Sequence, residues 1–283
     1  LTIKFQGGRL APDRSKPRLL LRPFMGTVTA APSSVDWHSN VADWPMYLND
    51  QVGSCTEAMV GHNLQNTSTY GDGATVTIGD DDVLAAYVRV SGYRPGDPST
   101  DNGAVLQNVY NDWRKNGVGG HRTLAFAEVD VSDLNEVKTA VATFGAAGFG
   151  ITVTQQMMTD FNAGKGWTRA GDRKLGGHAV VAVGYDVDGV DIVTWATAIR
   201  MTWTVFQKVC EEAWIAVLPE WLNDQSGRDP LGVDLLGLGE AFSALTGEVN
   251  PFLPSPAASP AQALPQRLLT WLIRLLQRLL GRG

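Results

Sequence analysis

An α+β chain, with its helices gathered ahead of its strands, is the fold class this sequence predicts. Segments of helical periodicity dominate from residue 55 to 146. From His178 onward the pattern changes to short β-branched runs separated by turn residues. A cysteine heads the first helical segment, and a histidine heads the longest apolar strand. Together these predict a helical half facing an antiparallel sheet half across a cleft.

The stretch Asn49-Asp50-Gln51-Val52-Gly53-Ser54-Cys55-Thr56-Glu57-Ala58 is the centre of that arrangement. Thr56 to Gln65 contains no proline, and its one glycine is Gly61, so a helix starts at or beside Cys55. A thiol there meets unpaired backbone N–H groups and the positive end of the helix dipole, which favours thiolate. His62 lies two turns further on, about 10 Å along the axis, and is therefore expected to be structural rather than a base for Cys55.

Residues 1–34 hold prolines at 12, 17, 23 and 32 among arginines and read as a basic extended arm. Trp37 and Trp44 are expected to pack the loop that leads to the cysteine. Asp80-Asp81-Asp82 makes an acidic first turn for a helix through Val88. Ala104–Lys115 is amphipathic and stops at Asn116-Gly117. Leu124–Val131 reads as a strand, and Ser132 to Glu136 as the capping sequence of helix Leu134–Ala146. Ile151–Thr154 is a strand, and Trp167–Gly177 a loop. His178–Tyr185 is a buried strand with Val190–Trp195 as its hairpin partner, followed by helix Thr204–Glu212 and strand Glu212–Leu218.

Residues 35–222 form the expected body, and 223–265 a Gly/Leu-rich then Pro/Ala/Ser-rich linker. Residues 266–283 place Leu268, Leu269, Leu272, Leu275, Leu276, Leu279 and Leu280 opposite Arg267, Arg274 and Arg278, a tethered cationic amphipathic helix.

The formal charge of −6 is unevenly spread. Residues 1–24 carry Lys4, Arg9, Arg14, Lys16, Arg18 and Arg22 against Asp13 alone, and the last 18 residues carry only arginine charges. The body between is strongly acidic and would repel phosphate, which argues against nucleic acid as a partner. The basic ends, residues 1–34 and 266–283, are expected to meet an assembly partner, a second copy of the chain included. An anionic membrane surface fits less well. Two cysteines make no disulfide framework, and a reducing compartment is the simpler reading. No signal-peptide apolar region opens the chain, so a cytoplasmic location is expected. No run of 18 apolar residues, zinc spacing, P-loop or dinucleotide fingerprint occurs, so no metal and no cofactor are expected.

A cysteine nucleophile needs a base, a group that orients the base, and donors for an oxyanion. His178, placed by its strand behind Gly176-Gly177, is the base candidate. The Gly53-Ser54-Cys55 step and the run Gly177-His178-Ala179-Val180-Val181-Ala182-Val183-Gly184-Tyr185 resemble the papain-like cysteine peptidases across residues 35–220. Trp44 to Asp50, with Thr194-Trp195, Met201-Thr202-Trp203 and Glu211-Glu212-Ala213-Trp214, resembles a branch found in bacteria and their phages.

The resemblance implies a two-lobed fold with Cys55 as nucleophile and His178 as base. An amide upstream of the cysteine would serve the oxyanion hole: Asn49 holds the family's place six residues before Cys55, and Gln51 lies four before. Where the family carries an Asn-Ser-Trp-Gly run, this chain reads Val193-Thr194-Trp195-Ala196, leaving Thr194 as the group that can hydrogen-bond the imidazole. Asp191, Trp195, Asp101 and Asn102 are further candidates for the groove. Two functions stay open. One is a thiol hydrolase that cleaves peptide or isopeptide bonds of a polypeptide substrate through an acyl-enzyme on Cys55. The other is a catalytically impaired peptidase fold, a pseudoenzyme serving as a structural or binding component, as of a bacteriophage virion.

Overall fold

The computed structural model describes residues 2–26, 31–222 and 233–253. The amphipathic helix expected over 266–283 lies outside the described residues. Strand β1 (Val35–Asp36) precedes helices α1 (Cys55–Gly71), α2 (Asp80–Ser91) and α3 (Leu106–Lys115). Then come β2 (Ala125–Val129), α4 (Leu134–Phe144), β3 (Ala147–Thr154), α5 (Gln155–Asn162), β4 (Lys174–Tyr185), β5 (Gly189–Thr194), β6 (Thr197–Thr202), α6 (Trp203–Val209), β7 (Cys210–Val217) and α7 (Leu235–Thr246). The α+β class follows, with one antiparallel sheet in the order β2-β7-β3-β4-β5-β6 and β1 added on β4.

The sheet separates two apolar cores. Val181, Val183 and Trp214 face α1, α2 and α3, whereas Val180, Ala182 and Ile215 face the side of α4, α5 and α6. Strand β4 is thus covered on both faces, which is why it reads as an unbroken apolar run rather than an alternating one. Helix α1 is the buried axis of the first layer: every residue but Thr69 is buried. Its polar side chains find partners inside. Asn66 donates to the Gly145 carbonyl at 2.7 Å, Thr67 to the Asn63 carbonyl at 2.8 Å, and the His62 ring bonds the Pro45 carbonyl at 2.8 Å. His62 is structural, as its spacing predicted, and burial pushes its pKa down to about 4.

Both sheet edges are covered, which removes open pairing surfaces. Leu19 to Leu21 of the arm run beside β2, with the Leu21 N–H on the Glu128 carbonyl and the Glu128 N–H on the Leu19 carbonyl, each at 2.8 Å. Trp167 does the same for β6 through Arg200 and Thr202.

Several elements depart from expectation. Strand β4 begins at Lys174, inside the stretch read as loop, and α6 ends at Val209, so that β7 starts at Cys210. Strand β6 and helix α5 have too few apolar positions of their own to announce themselves. The linker expected over 223–265 contains α7, which packs on the body. Leu235, Leu238 and Phe242 recur at helical spacing and are buried, and the Phe242 ring meets Phe126 of β2 with centroids 5.9 Å apart. Burying such side chains contributes about 1.5–3 kcal/mol each, enough to hold a short helix down.

Candidate active site

The loop before α1 is built to fix its first residue. Tyr47 and Leu48 turn the chain with φ of 52° and 61°. Ser54 Oγ donates to the Tyr47 carbonyl at 2.9 Å. The Gly53 N–H donates to both carboxylate oxygens of Asp101, at 3.1 and 3.0 Å, and the Tyr87 hydroxyl donates to the same carboxylate. Asp101, a groove candidate from the sequence, therefore acts one step away from the cysteine, by clamping the turn that delivers it.

Cys55 opens α1 and is fully buried. It sits against the His178–Ala179 step of β4, with the backbone N–H groups of Ala179 and Gly8 directed to its sulfur. The thiolate expected from the helix N-terminus is overridden. Burial pushes the thiol up to about 12, and the neighbouring Glu57 adds to the rise, while the two N–H groups and Arg9 pull weakly the other way. Glu57 is itself a buried carboxyl whose pKa burial raises to about 8.

His178 is paired with Ile151 across the sheet and fully buried. Its Nε2 and Thr194 Oγ1 are 2.8 Å apart. Thr194 thus bonds the imidazole, but a hydroxyl both donates and accepts, so it does not select one imidazole tautomer as an amide carbonyl would. Trp195 stacks flat on the ring, with centroids 4.2 Å apart and planes 14° from parallel. That contact needs Trp195 and Ala196 in left-handed conformation, φ 41° and 59°, because strict strand alternation would carry Trp195 to the face opposite Thr194. The Nδ1 atom of His178 is buried with no hydrogen-bond partner among the described residues. Burial, then the charge of Arg9, depress the imidazole pKa to about 3.

The remaining candidates divide. Asn49 is buried, its Oδ1 unpartnered among the described residues, whereas Gln51 is exposed. Asp191 turns away from the imidazole and is held by Arg200 Nε at 3.0 Å. No group of three metal-ligating side chains occurs among the described residues.

The cleft between the halves is occupied by the arm. The Ile3 N–H donates to Asn162 Oδ1 at 2.8 Å, and Phe5 sets its ring edge-on to His178 and Trp195. Gly7 and Gly8 cross beside Cys55, and Gly8 lies directly on Gly53. Arg9 and Leu10 then bridge the two halves. The Arg9 N–H reaches the Gly177 carbonyl at 3.4 Å, the Leu10 N–H the Ala104 carbonyl at 2.8 Å, and the Ala104 N–H the Gly8 carbonyl at 2.7 Å. The arm thus joins the walls through a single backbone bridge, Arg9 with Ala104. Its basic residues meet the body's own acids: Arg9 with Glu211 and Glu212, Arg14 and Arg18 with Glu128, and Arg22 with Asp133. Sequence reading did not place Gly7-Gly8-Arg9 in the site. The signal was present as a glycine at each wall, Gly103 and Gly177, each too close to the arm's backbone to carry a side chain.

A helix headed by a cysteine, packed on the histidine-bearing strand of an antiparallel sheet, is the architecture of the papain-like cysteine proteases, and this chain has that fold. It is similar to xylellain, a cysteine protease from Xylella fastidiosa, with a TM-score of 0.55 at 15% identity, covering 77% of this chain and 98% of that one. Digestive procathepsin L 3 of Tenebrio molitor larval midgut aligns with a TM-score of 0.51 at 13% identity over 77% of this chain and 76% of its own. The ragweed pollen cysteine protease Amb a 11 in its proform aligns with a TM-score of 0.52 at 14% identity over 69% and 67%. No family model and no curated protein matches the sequence.

Proposed function

We propose that the chain is a papain-type thiol hydrolase whose own arm keeps it closed, cleaving peptide or isopeptide bonds through an acyl-enzyme on Cys55. The observation that carries this reading is the placing of Cys55 at the head of α1 against the Ala179 N–H, one residue along β4 from His178, under residues 3–10, which fill the cleft. A cleft that hydrogen-bonds one extended chain by its backbone suits another. Neighbours solved as a procathepsin and as a proform support reading the arm as a self-covering segment.

With the arm displaced, water returns to Cys55 and His178, and the burial that holds both groups neutral is relieved. His178 then takes the thiol proton, and the thiolate attacks the substrate carbonyl carbon. The negative oxygen is met by the N–H of Cys55 at the helix N-terminus and by the Asn49 amide. The imidazolium returns its proton to the leaving amine as the C–N bond breaks. Water, deprotonated by the same imidazole, then opens the thioester to a carboxylic acid and restores the thiol.

The test is alkylation of the full chain across pH 5–9 with an iodoacetamide-type reagent, comparing wild type with Arg9→Glu, which sets a third carboxylate against Glu211 and Glu212 and expels the arm. Rapid Cys55 labelling at pH 6 in Arg9→Glu, abolished by adding His178→Ala, is the expected result. Labelling of the opened protein that ignores His178 would sink the hydrolase reading and favour a binding or structural component.

A further inference from the structure

Arg9 is held more tightly than an inhibitory strap requires. Its side chain is only 2% exposed and lies in a slot on the sheet side of the cleft. The slot is made for a flat, charged group. Nη1 donates to Glu212 Oε1 at 2.9 Å, and Nη2 donates to Glu211. The Glu212 side chain is fully buried, and its other oxygen accepts from Trp214 Nε1 at 2.8 Å. The other oxygen of Glu211 accepts from Thr152 Oγ1. Two glycines leave room for the guanidinium. A Cβ on Gly150 would stand 2.7 Å from Arg9 Cδ, and one on Gly177 3.2 Å from Arg9 Nε. Glu211 and Glu212 also border a surface cavity of about 230 Å³ beside Arg14, Arg18 and Glu128.

When the arm leaves, Glu212 becomes a buried carboxylate without its counter-charge, a costly state that another cation relieves. The paired carboxylates match the fork of an arginine better than the point charge of a lysine. We propose that the slot formed by Glu211, Glu212, Gly150 and Gly177 recognises an arginine side chain of any polypeptide lying in the cleft, so that substrates are selected by an arginine beside the bond presented to Cys55. The selection of substrates rests on the hydrolase reading, whereas the binding of arginine does not.

The test uses the full chain carrying Arg9→Ala to free the slot and Cys55→Ser to prevent turnover. Binding of acetyl-Gly-Gly-Arg-Leu-Ala-amide and of its citrulline counterpart is measured by calorimetry. The arginine peptide is expected to bind at least about tenfold more tightly, in keeping with two charge-assisted hydrogen bonds, and Glu211→Gln or Glu212→Gln to remove the difference. Equal affinities, no binding of the arginine peptide, or a preference that survives both glutamine variants overturns the slot. Should Arg9→Ala fail to fold, Gly8→Ala, whose Cβ would stand 1.8 Å from the Gly53 carbonyl oxygen, lifts the arm out of the slot and the same discrimination is expected. With Cys55 restored, binding without cleavage would reject the hydrolase and leave the slot standing. Equal cleavage of both peptides would do the reverse.

Discussion

Gly8 of the arm and Gly53 of the cysteine loop touch backbone to backbone: a Cβ placed on Gly8 would fall 1.8 Å from the Gly53 carbonyl oxygen. The contact lies two residues before Cys55, which is fully buried.

Gly8→Ala therefore forces the arm off Gly53 while leaving every residue of the body unchanged. Labelling of Cys55 by a neutral alkylating agent at pH 8 is expected to rise by about tenfold or more over wild type, equivalent to about 1.4 kcal/mol of lost closure. Unchanged protection would mean that the arm does not gate the thiol.

Two buried histidines set the acid limit of the fold. His178 and His62 keep pKa values near 3 and 4 while folded, against about 6.5 when unfolded. Below pH 6.5 the unfolded chain gains protons that the folded chain refuses, so stability falls as pH drops toward 4. Glu57 works the other way. Its folded pKa near 8 means that stability is lost as pH rises from about 4.5 to 8. Urea midpoints from pH 4 to 8 are expected to fall on the acid side in wild type, and to fall less in His62→Gln.

Asp101 accepts the Gly53 N–H and the Tyr87 hydroxyl. Asp101→Ala leaves both donors without that acceptor, at a cost of about 1–3 kcal/mol in denaturant unfolding. Cys55 labelling in an arm-displaced background is expected to slow as well, because the turn that aims the thiol loosens.

Thr194→Val keeps the shape of the side chain and removes the oxygen bonded to His178 Nε2. Both imidazole nitrogens are then unpartnered within the buried site, and a loss of about 1–3 kcal/mol is expected. Dependence of Cys55 reactivity on His178 is expected to weaken in the opened protein.

Phe242→Ala tests whether α7 is part of the body. The ring is 2% exposed, stacks edge-on to Phe126 and lies under the Arg114 guanidinium, 4.6 Å away. A loss of about 3–5 kcal/mol is expected, as for other buried aromatic rings. A tethered linker helix would lose nothing measurable.

Much of the architecture is local and could be read from the chain. Cys55 at a helix start, the β-branched run behind His178, and the capping of α4 by Asp133, whose side chain accepts from the Asn135 and Glu136 N–H groups, depend on neighbours in sequence. Even the histidine's partner was legible, since Thr194 is the polar residue left where the resemblance calls for an amide. Spacing also settled His62, because two helical turns put it beyond reach of the thiol.

What tertiary structure decided is what burial decides. The helix N-terminus pulls Cys55 toward thiolate, but complete exclusion of water under Gly8 outweighs it, and no local pattern reveals which residues will lie overhead. Trp195 reached the imidazole only because the β5–β6 turn is left-handed. Asp191 faced the same strand in sequence yet was taken by Arg200 of the next one. Arg9 and Glu212 lie 203 residues apart, and only the closing of the cleft makes them a pair. Periodicity reports which face a residue occupies, whereas the protonation of a site and the occupant of its groove depend on everything packed against that face.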